Sequence, residues 1–309
     1  MEYGNPLWER KNLIKELLES SKDSHNLDFK GKILKLPVIT VPIGSLKYRI
    51  ENDRTGTDQE QYAVKLGIEK DWFRGNGEEE DVQKIQHDFL YIRALDPVSN
   101  LEKTFVTNKA TQTEPLVINN RSDGKGIGFV VNGNRRLALW RKLFQENPEI
   151  YDFASIVCAV LPQHFTPEQE EDLEFDLQVK PLNRAEYDWI DKRKAYRRQL
   201  DRFEDQDEGW ATVAQRLGNM QQNDLQRDMI AYEYATEYLD WIEKPGYWDL
   251  IQSDEFAFRS TANVVNQKTG GVTLSPTDKA ELKHMCFDLI YKKPSSGEVY
   301  KVIQGIKKY

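Results

Sequence analysis

The sequence predicts an α+β fold in which a small mixed α/β domain precedes an all-α region. Up to about residue 163, short apolar and β-branched runs alternate with turns that contain glycine or proline. After Thr166, apolar residues recur at the spacing of amphipathic helices. The 309 residues are enough for one large domain or two ordinary ones. We expect an N-terminal helix and linker at 1–30, the mixed domain at 31–165 and a helical domain at 166–309.

The composition limits which partners the protein can have. Its formal net charge of −8 means that a polyanion such as DNA must be held by a local basic patch. Each of the two cysteines lies in an apolar run, which indicates buried thiols in a cytoplasmic protein. The four histidines are far apart and no CxxC or HExxH motif occurs, so no metal site is expected. The N-terminal segment lacks a signal-peptide core, and no apolar run approaches the roughly 20 residues that span a membrane, so no membrane partner is expected.

The first predicted elements are a helix and a strand. Asn5 and Pro6 have the order of a helix cap and a first helical residue, and an apolar face follows at residues 13–18. A polar linker is predicted near residues 20–30. Residues 33–43 are rich in apolar and β-branched side chains and contain two prolines, which indicates a strand at an edge or an end of the sheet.

A glycine-containing turn joins the next two predicted strands, at residues 115–120 and 128–131. Its sequence, DGKGIG, lacks the Gly-Lys-Ser/Thr ending of a P-loop, so a hairpin is favoured over a phosphate loop. The chain then turns at Asn132-Gly133-Asn134 and enters a helix that begins with Arg135-Arg136. A further strand is predicted at residues 154–161.

The turn at Gly133 has the components of an anion site. The first backbone N–H groups of a helix have no partner within the helix, and the helix dipole adds partial positive charge there. Arg135 and Arg136 add forked donors that suit phosphate oxygens, and Gly133 allows a ligand to approach the backbone. The alternative is that both arginines form structural ion pairs with nearby carboxylates, and the residues alone leave both interpretations open.

Two segments of the helical region suit contact with DNA. The first is a helix whose basic residues are candidates for phosphate contacts, with a solvated face balanced by neighbouring aspartates as the alternative. Its candidate residues are Lys192, Arg193, Arg197 and Arg198. The second is a helix-turn-helix-like segment at residues 208–232, whose side chains can read base edges. Its candidate residues are Gln221, Gln222 and Arg227.

The order of these elements resembles the N-terminal domain of the ParB/sulfiredoxin superfamily. In that family a strand that begins with proline is followed by a hairpin, a Gly-x-[Arg/His]-Arg turn at a helix start, and another strand. The matching residues are Glu114-Pro115-Leu116-Val117, Asp123-Gly124 and Gly133-Asn134-Arg135-Arg136. Asn52 and Arg54 are similar to an Asn and an Arg after the family's first strand, and Leu177-Gln178 to the segment that leads into its helical part. The resemblance covers roughly residues 35–240.

The resemblance implies a protein that binds a nucleotide and, as ParB proteins do, DNA. The implied cofactor is a nucleoside triphosphate, CTP or ATP, with Mg²⁺. The implied nucleotide-binding residues are Gly133, Asn134, Arg135, Arg136, Pro115, Leu116, Asn52, Arg54 and Gln178. Relatives are often homodimers and belong to bacteria, plasmids or phages, and both properties are expected here on the same ground.

The sequence departs from the family at two motifs. Sulfiredoxins have a reactive cysteine in the turn where this chain has Asn134, so sulfinic-acid repair is not expected. Typical ParB proteins have a glutamate there, so a role that needs that carboxylate is lost. The second ParB phosphate motif begins with Glu-Asn and ends in Arg, whereas this chain has Phe175-Asp176 and Val179 at those places.

Three functions are open from the sequence. The first is a nucleotide-binding, ParB-like DNA-binding protein with a partition, regulatory or mobile-element role. The second is an NTP-dependent enzyme, either a nuclease or a phosphotransferase, for which Glu51, Asp53 and Asp176 are the candidate bases although no catalytic residue can be assigned. The third is an interaction scaffold that keeps the fold and has lost nucleotide binding.

Overall fold

The computed structural model describes residues 3–52, 54–95, 101, 112–146, 148–149, 153–179, 188–218, 220–266, 268–269, 272–292 and 298–306. The chain divides into two compact units. Unit 1 comprises residues 1–59 and 68–186, and unit 2 comprises residues 60–67 and 187–309. The predicted α+β class is confirmed, because unit 1 contains a six-stranded sheet and unit 2 is mostly helical.

Unit 1 is built on a mixed sheet. Its strands are β1 (Ser24–Phe29), β2 (Lys32–Pro42), β3 (Lys47–Tyr48), β4 (Leu116–Ile118), β5 (Phe129–Asn132) and β6 (Ser155–Val160). They lie in the order β1-β2-β6-β4-β5-β3. β4 and β5 form the predicted antiparallel hairpin, β3 runs parallel to β5, and β4 runs parallel to β6. The carboxyl ends of β3 and β5 therefore lie side by side at one edge of the sheet.

Residues 24–29 correct the predicted polar linker, because they form strand β1. Leu27 and Phe29 are buried, whereas the polar residues between them are more exposed. β1 turns into β2 at Lys30 and Gly31, which both have positive φ values of 51° and 74°. Only two apolar residues alternate with polar ones, so the period-2 signal of this strand is too short to recognise from the sequence.

Helices lie on both faces of the sheet of unit 1. The first six helices of the chain are α1 (Leu7–Ser20), α2 (Gly56–Leu66), α3 (Trp72–Gly75), α4 (Glu80–Ala94), α5 (Asn134–Glu146) and α6 (Pro167–Val179). The division between the units falls inside α2, since its residues from Glu60 onward belong to unit 2. Apolar residues of α1, α4 and α5 form one core with Val41, Leu116 and Val130 of the sheet. Leu173 and Leu177 of α6 pack with Val117, Val131 and other residues of the opposite face.

The observed division differs from the predicted domain boundaries at both ends of unit 1. Residues 167–179, which were assigned to the helical domain, form α6, and Leu173 is completely buried against the sheet. Residues 1–30 are part of the same unit, since Ile14 and Arg10 of α1 are 0% exposed. Arg10 donates from Nε to Ile127 O at 2.8 Å and from Nη2 to Glu78 Oε1 at 2.8 Å.

Unit 2 consists mainly of helices. They are α7 (Trp189–Leu200), α8 (Gln206–Arg216), α9 (Gln222–Trp241), α10 (Glu255–Asn266), α11 (Pro276–Lys292) and α12 (Val299–Gly305), with a small hairpin of β7 (Lys268–Thr269) and β8 (Val272–Thr273). The ring of Tyr238 lies 5.5 Å from the rings of both Phe258 and Phe287 at the centre of its core. Asp188 caps α7 by accepting a hydrogen bond from Ile190 N at 2.8 Å. Residues 180–187, which carry part of the family resemblance, lie outside the described residues.

Candidate functional site

The Gly133 turn connects β5 to α5 in a conformation that depends on two residues. Gly133 has a φ of 101°, which residues with a Cβ atom rarely adopt. Asn134 opens α5 and is 4% exposed. Its Oδ1 accepts a hydrogen bond from Arg49 N at 3.4 Å, and its Nδ2 donates to Val130 O at 2.8 Å. The Asn134 side chain thus connects the end of β5 with the residue that follows β3.

The two arginines of the turn contact backbone carbonyl groups. Arg135 donates from Nη1 to Arg93 O at 3.3 Å. Arg136 donates from Nη1 to Glu114 O at 2.5 Å and from Nη2 to Pro115 O at 3.4 Å. Four of the predicted nucleotide-binding residues therefore lie together, namely Gly133, Arg136, Pro115 and the buried Leu116. Binding of phosphate by these arginines remains a prediction.

The remaining predicted nucleotide-binding residues lie after β3 and on α6. Asn52 is 5% exposed, and its Oδ1 accepts a hydrogen bond from Arg54 N at 3.0 Å, so the side chain holds the turn that presents Arg54. The Arg54 side chain is partly exposed. Gln178 lies on α6, but its side chain is outside the described part of the chain. Asn52 and Arg54 thus lie beyond the carboxyl end of β3, which is parallel to β5.

A cleft of about 540 Å³ lies beside this region in unit 1. Its walls include the apolar side chains of Ile50 and Phe129 and the segment from Arg74 to Glu79. Its charged lining residues are Arg49, Arg74, Arg121, Lys125, Glu51, Glu78, Glu79, Glu170 and Glu171. Glu78 receives hydrogen bonds from Arg10. This volume is within the range of small-molecule sites, and the lining offers both cations and carboxylates.

Glu170 of α6 is a buried carboxyl group in the wall of this cleft. Its Oε1 accepts a hydrogen bond from Asn119 Nδ2 at 2.6 Å and lies 3.5 Å from Arg121 Nη1. Burial raises the pKa of Glu170 to about 7, although Arg49, Arg121 and the Asn119 hydrogen bond act in the opposite direction. A carboxyl group with a pKa near neutral pH is a common attribute of functional sites.

Glu174 lies one helical turn further along α6 and forms a buried ion pair. Its Oε2 lies 2.6 Å from Arg49 Nη1, and both side chains are less than 10% exposed. Burial raises the pKa of Glu174 to about 7, and the neighbouring Arg49 and Arg54 guanidinium groups oppose that rise. Arg49 therefore connects the Gly133 turn with α6, because its backbone N–H donates to Asn134 and its side chain pairs with Glu174.

This cluster was not predicted from the sequence. Three acidic residues of α6, Glu170, Asp172 and Glu174, are all less than 10% exposed. Of the three proposed bases, Glu51 lines the cleft, Asp176 is partly exposed on α6, and Asp53 lies outside the described residues. The available signal was the i, i+4 spacing of Glu170 and Glu174, which places both on one side of a helix.

The candidate DNA-binding residues of α7 differ in exposure. Arg193 is 4% exposed and donates from Nη2 to Asp228 Oδ2 at 2.7 Å and to Glu255 Oε1 at 2.8 Å. Arg193 is therefore a structural residue of unit 2 here, because a phosphate would have to displace two carboxylates. Arg197 pairs with Glu233, and both Lys192 and Arg198 are partly exposed. Contact of these three residues with DNA remains a prediction.

The candidate base-reading residues lie at the connection between α8 and α9. Gln221 and Gln222 are exposed at the start of α9 and line a shallow groove of about 440 Å³ with Asn223 and Gln215. Arg227 is also exposed and donates from Nη1 to Asp224 Oδ1 at 3.1 Å. The turn therefore offers several amide groups and one guanidinium group to a partner, next to an acidic side chain.

No protein-family model matches the sequence, and no curated protein matches it. Among solved structures, the chain is similar to the C-terminally truncated chromosome-partitioning protein ParB from Caulobacter crescentus, crystallised with the centromeric parS site. The two sequences are 13% identical, the TM-score is 0.34, and the match covers 69% of this chain and 88% of that chain. At this TM-score the similarity does not establish a function for this protein.

Three further features of the described residues concern metals, membranes and cysteines. Within the described ranges, no cluster of three or more His, Cys, Asp or Glu side chains is arranged to hold a metal ion. None of the described helices combines the length and apolar character needed to cross a membrane. The cysteines, Cys158 and Cys286, are buried free thiols as predicted.

Proposed function

We propose that unit 1 binds a nucleoside triphosphate and that unit 2 contacts DNA, as the resemblance of the sequence to ParB proteins implies. The observation that supports nucleotide binding is that the carboxyl ends of β3 and β5 lie beside the start of α5. β3 and β5 are parallel neighbours, so Arg49, Asn52 and Arg54 come to the same edge as the first turn of α5. Ligands of α/β folds commonly bind outside the carboxyl ends of parallel strands.

The chain's own groups at this edge suit an oxyanion. The first N–H groups of α5 add partial positive charge, and Arg54 adds a partly exposed guanidinium group. Asn134 and Asn52 act as positioning residues, since their side chains hold the turns from which these donors extend. When bound, the triphosphate would supply an exchangeable phosphoryl group.

Replacing Arg54 by alanine is expected to weaken nucleotide binding about tenfold or more, because a charge-assisted hydrogen bond to phosphate contributes roughly 1.5–3 kcal/mol. Calorimetric titration of the whole chain with CTP, ATP and GTP, each with Mg²⁺, measures the dissociation constants. Lys15→Ala removes a cation from the exposed face of α1 and is the matched control. If wild-type protein binds none of the three nucleotides, the proposal is rejected. If Arg54→Ala and Lys15→Ala lose equal affinity for nucleotide, Arg54 is not a nucleotide-binding residue.

The proposal for DNA depends on the exposed turn between α8 and α9. Replacing Arg227 by alanine is expected to weaken binding to a duplex by about 1–3 kcal/mol if the guanidinium group reads a base. Fluorescence anisotropy with labelled duplexes of different sequence at several salt concentrations measures this change. Lys244 lies beyond the other end of α9, about 25 Å from Arg227 at the helical rise per residue, and Lys244→Ala is expected to bind as wild type. A uniform loss across all sequences would indicate a phosphate contact, and no loss would exclude this turn from the interface.

A further inference from the structure

The cleft of unit 1 is distinct from the edge where nucleotide binding is proposed. No described residue of α5 lines the cleft, and neither does Arg54. Its apolar wall is formed by Leu7, Ile50, Phe129 and Pro167, and charged side chains line the rest of its surface. A cavity of about 540 Å³ with an apolar wall and a few convergent polar groups has the composition of a small-molecule site. The cleft can therefore hold a ligand of its own.

Glu170 presents one unpaired carboxyl oxygen to this cleft. The residue is 3% exposed, and its Oε1 lies 2.6 Å from Asn119 Nδ2 and 3.5 Å from Arg121 Nη1. Within the described ranges, Oε2 has no hydrogen-bond or ion-pair partner, and the side chain lines the cleft. A buried acceptor without a donor destabilises a folded protein, so a donor from a molecule in the cleft would be bound favourably at this oxygen.

The buried cations of the cleft already have anionic partners in the protein. Arg49 Nη1 lies 2.6 Å from Glu174 Oε2, and Arg121 lies beside Glu170 Oε1. Glu78, at the opposite wall, is likewise paired with two buried cations of the protein. An anionic ligand would have to displace these carboxylates from the guanidinium groups, whereas a cationic ligand finds the Glu170 oxygen unoccupied.

The more exposed charges of the cleft add a small excess of negative charge. Apart from the paired Glu78, the exposed and partly exposed charged residues of the lining are Arg74, Lys125, Glu51, Glu79 and Glu171. Three carboxylates thus face two cations at the more exposed part of the lining. The charge of this part and the unpaired oxygen of Glu170 therefore favour the same kind of ligand, one with a positive charge.

We propose that the cleft binds a small organic cation, an ammonium or amidinium group on an apolar body, with the cationic group bound to Glu170 Oε2. The apolar body lies against Ile50 and Phe129. The ring of Phe129 already has the Arg10 guanidinium group 5.7 Å from its centroid, so its role for the ligand is apolar contact. A charge-assisted hydrogen bond in a cleft that excludes water is stronger than the same bond at the surface. The inference does not depend on nucleotide binding.

The protonation of Glu170 couples this binding to pH. Burial raises the pKa of Glu170 to about 7, while Arg49, Arg121 and the Asn119 hydrogen bond oppose the rise. The cation binds the ionised carboxylate, so its affinity is expected to fall as pH falls through 7. The charged groups around Glu170 are Arg49 and Glu51 after β3, Arg74, Glu78 and Glu79 after α3, Arg121 and Lys125 of the β4–β5 hairpin, and Glu171 and Glu174 of α6.

Calorimetric titration of the whole chain with benzamidine and with phenethylamine tests the proposal. At pH 8 the neutral counterparts, benzamide and 2-phenylethanol, are expected to bind about tenfold or more weakly, because they keep the apolar body and lack the charge. Both cations are expected to bind about tenfold more weakly at pH 6 than at pH 8, since the ionised fraction of Glu170 falls by that factor. Binding at pH 6 is also expected to release about one proton, which makes the measured heat depend on the buffer.

Glu170→Gln is expected to weaken binding of benzamidine at pH 8 about tenfold or more and to remove the pH dependence, since the amide keeps the shape without the charge. Glu168→Gln removes an exposed carboxylate from the first turn of the same helix and is expected to bind as wild type. Circular dichroism checks that both variants fold. Carbon-13 NMR of labelled glutamate carboxyl groups in wild type needs no variant, and benzamidine is expected to move one titration from about pH 7 to lower pH.

The proposal is supported if both cations bind in preference to their neutral counterparts, with the expected pH dependence and its loss in Glu170→Gln. It is overturned if neither cation binds, if the neutral molecules bind equally well, or if affinity is the same at pH 6 and pH 8. Binding to Glu170→Gln at the wild-type affinity would also overturn it. If Glu170→Gln does not fold, the wild-type pH dependence and the carboxyl spectra decide.

Discussion

Gly133→Ala is expected to lower the free energy of unfolding of unit 1 by about 2–6 kcal/mol, with two physical contributions. The φ of 101° at Gly133 is strained for any residue with a Cβ, at a cost of roughly 1–3 kcal/mol. The added Cβ would also overlap Leu116 Cδ2 and lie 2.9 Å from Arg136 Nη2. Leu116 is 0% exposed, so the chain must relax around it, at a typical cost of about 1–3 kcal/mol. Urea unfolding followed by circular dichroism measures the loss.

The β4–β5 hairpin offers a matched control for this prediction. Gly124 also has a positive φ, 73°, but a Cβ atom there would have no neighbour within 4 Å. Gly124→Ala is therefore expected to show only the backbone contribution, on the order of 1 kcal/mol. Equal losses in the two variants would contradict the view that close packing of the Gly133 turn against Leu116 matters.

Arg49→Ala is expected to destabilise unit 1 by about 3–5 kcal/mol at pH 8, because it leaves Glu174 buried without its partner. Arg49 Nη1 and Glu174 Oε2 are 2.6 Å apart. The same substitution is expected to have a much smaller effect at pH 5, because a protonated Glu174 carries no charge that needs compensation. Urea unfolding at both pH values measures the difference. Arg74→Ala removes an exposed arginine of the same cleft and is expected to change stability by less than about 0.5 kcal/mol.

The direction of this pH dependence follows from the raised pKa of Glu174. The folded pKa of about 7 is above the ordinary value, so the stabilising contribution of the protonated group is complete below about pH 4.5 and is lost as pH rises through 7. Arg49 limits that loss, since its charge lowers the pKa of Glu174. Without Arg49 the pKa rises further, and the loss continues to higher pH. An Arg49→Ala effect that is equal at pH 5 and pH 8 would contradict this coupling.

Elements with local signals were predictable from the sequence, and those that depend on tertiary packing were not. The Gly133 turn and the β4–β5 hairpin were predicted because glycines and short apolar runs mark them directly. Strand β1 was missed because only Leu27 and Phe29 alternate with polar residues. The position of α6 was missed because its helical pattern continues directly into the helical region, although Leu173 and Leu177 pack against the sheet.

The sequence pointed to the edge of the sheet near Gly133 as the candidate site, but the contacts and the charge states of its side chains could be predicted only in part. The edge near Gly133 was identified from its residues, but the partners of Arg135 and Arg136 are backbone carbonyl groups, which no side-chain pattern indicates. Burial raises the pKa values of Glu170 and Glu174, and Arg49, a residue more than a hundred positions away in the sequence, opposes that rise. Such a property arises only when distant segments have packed together.

The pairing of β2 with β6 has a consequence for how unit 1 reaches its native state. Val38 lies opposite Ala159 and Ile39 opposite Cys158, so the central strands join segments that the ribosome releases far apart in time. Closing such long loops costs entropy before the contacts can compensate, and proteins with many distant pairings fold slowly. During synthesis, the hairpin of β1 and β2 therefore lacks its neighbour β6. The edge of β2 that pairs with β6 has no hydrogen-bond partner in the sheet until β6, the last strand, has been synthesised.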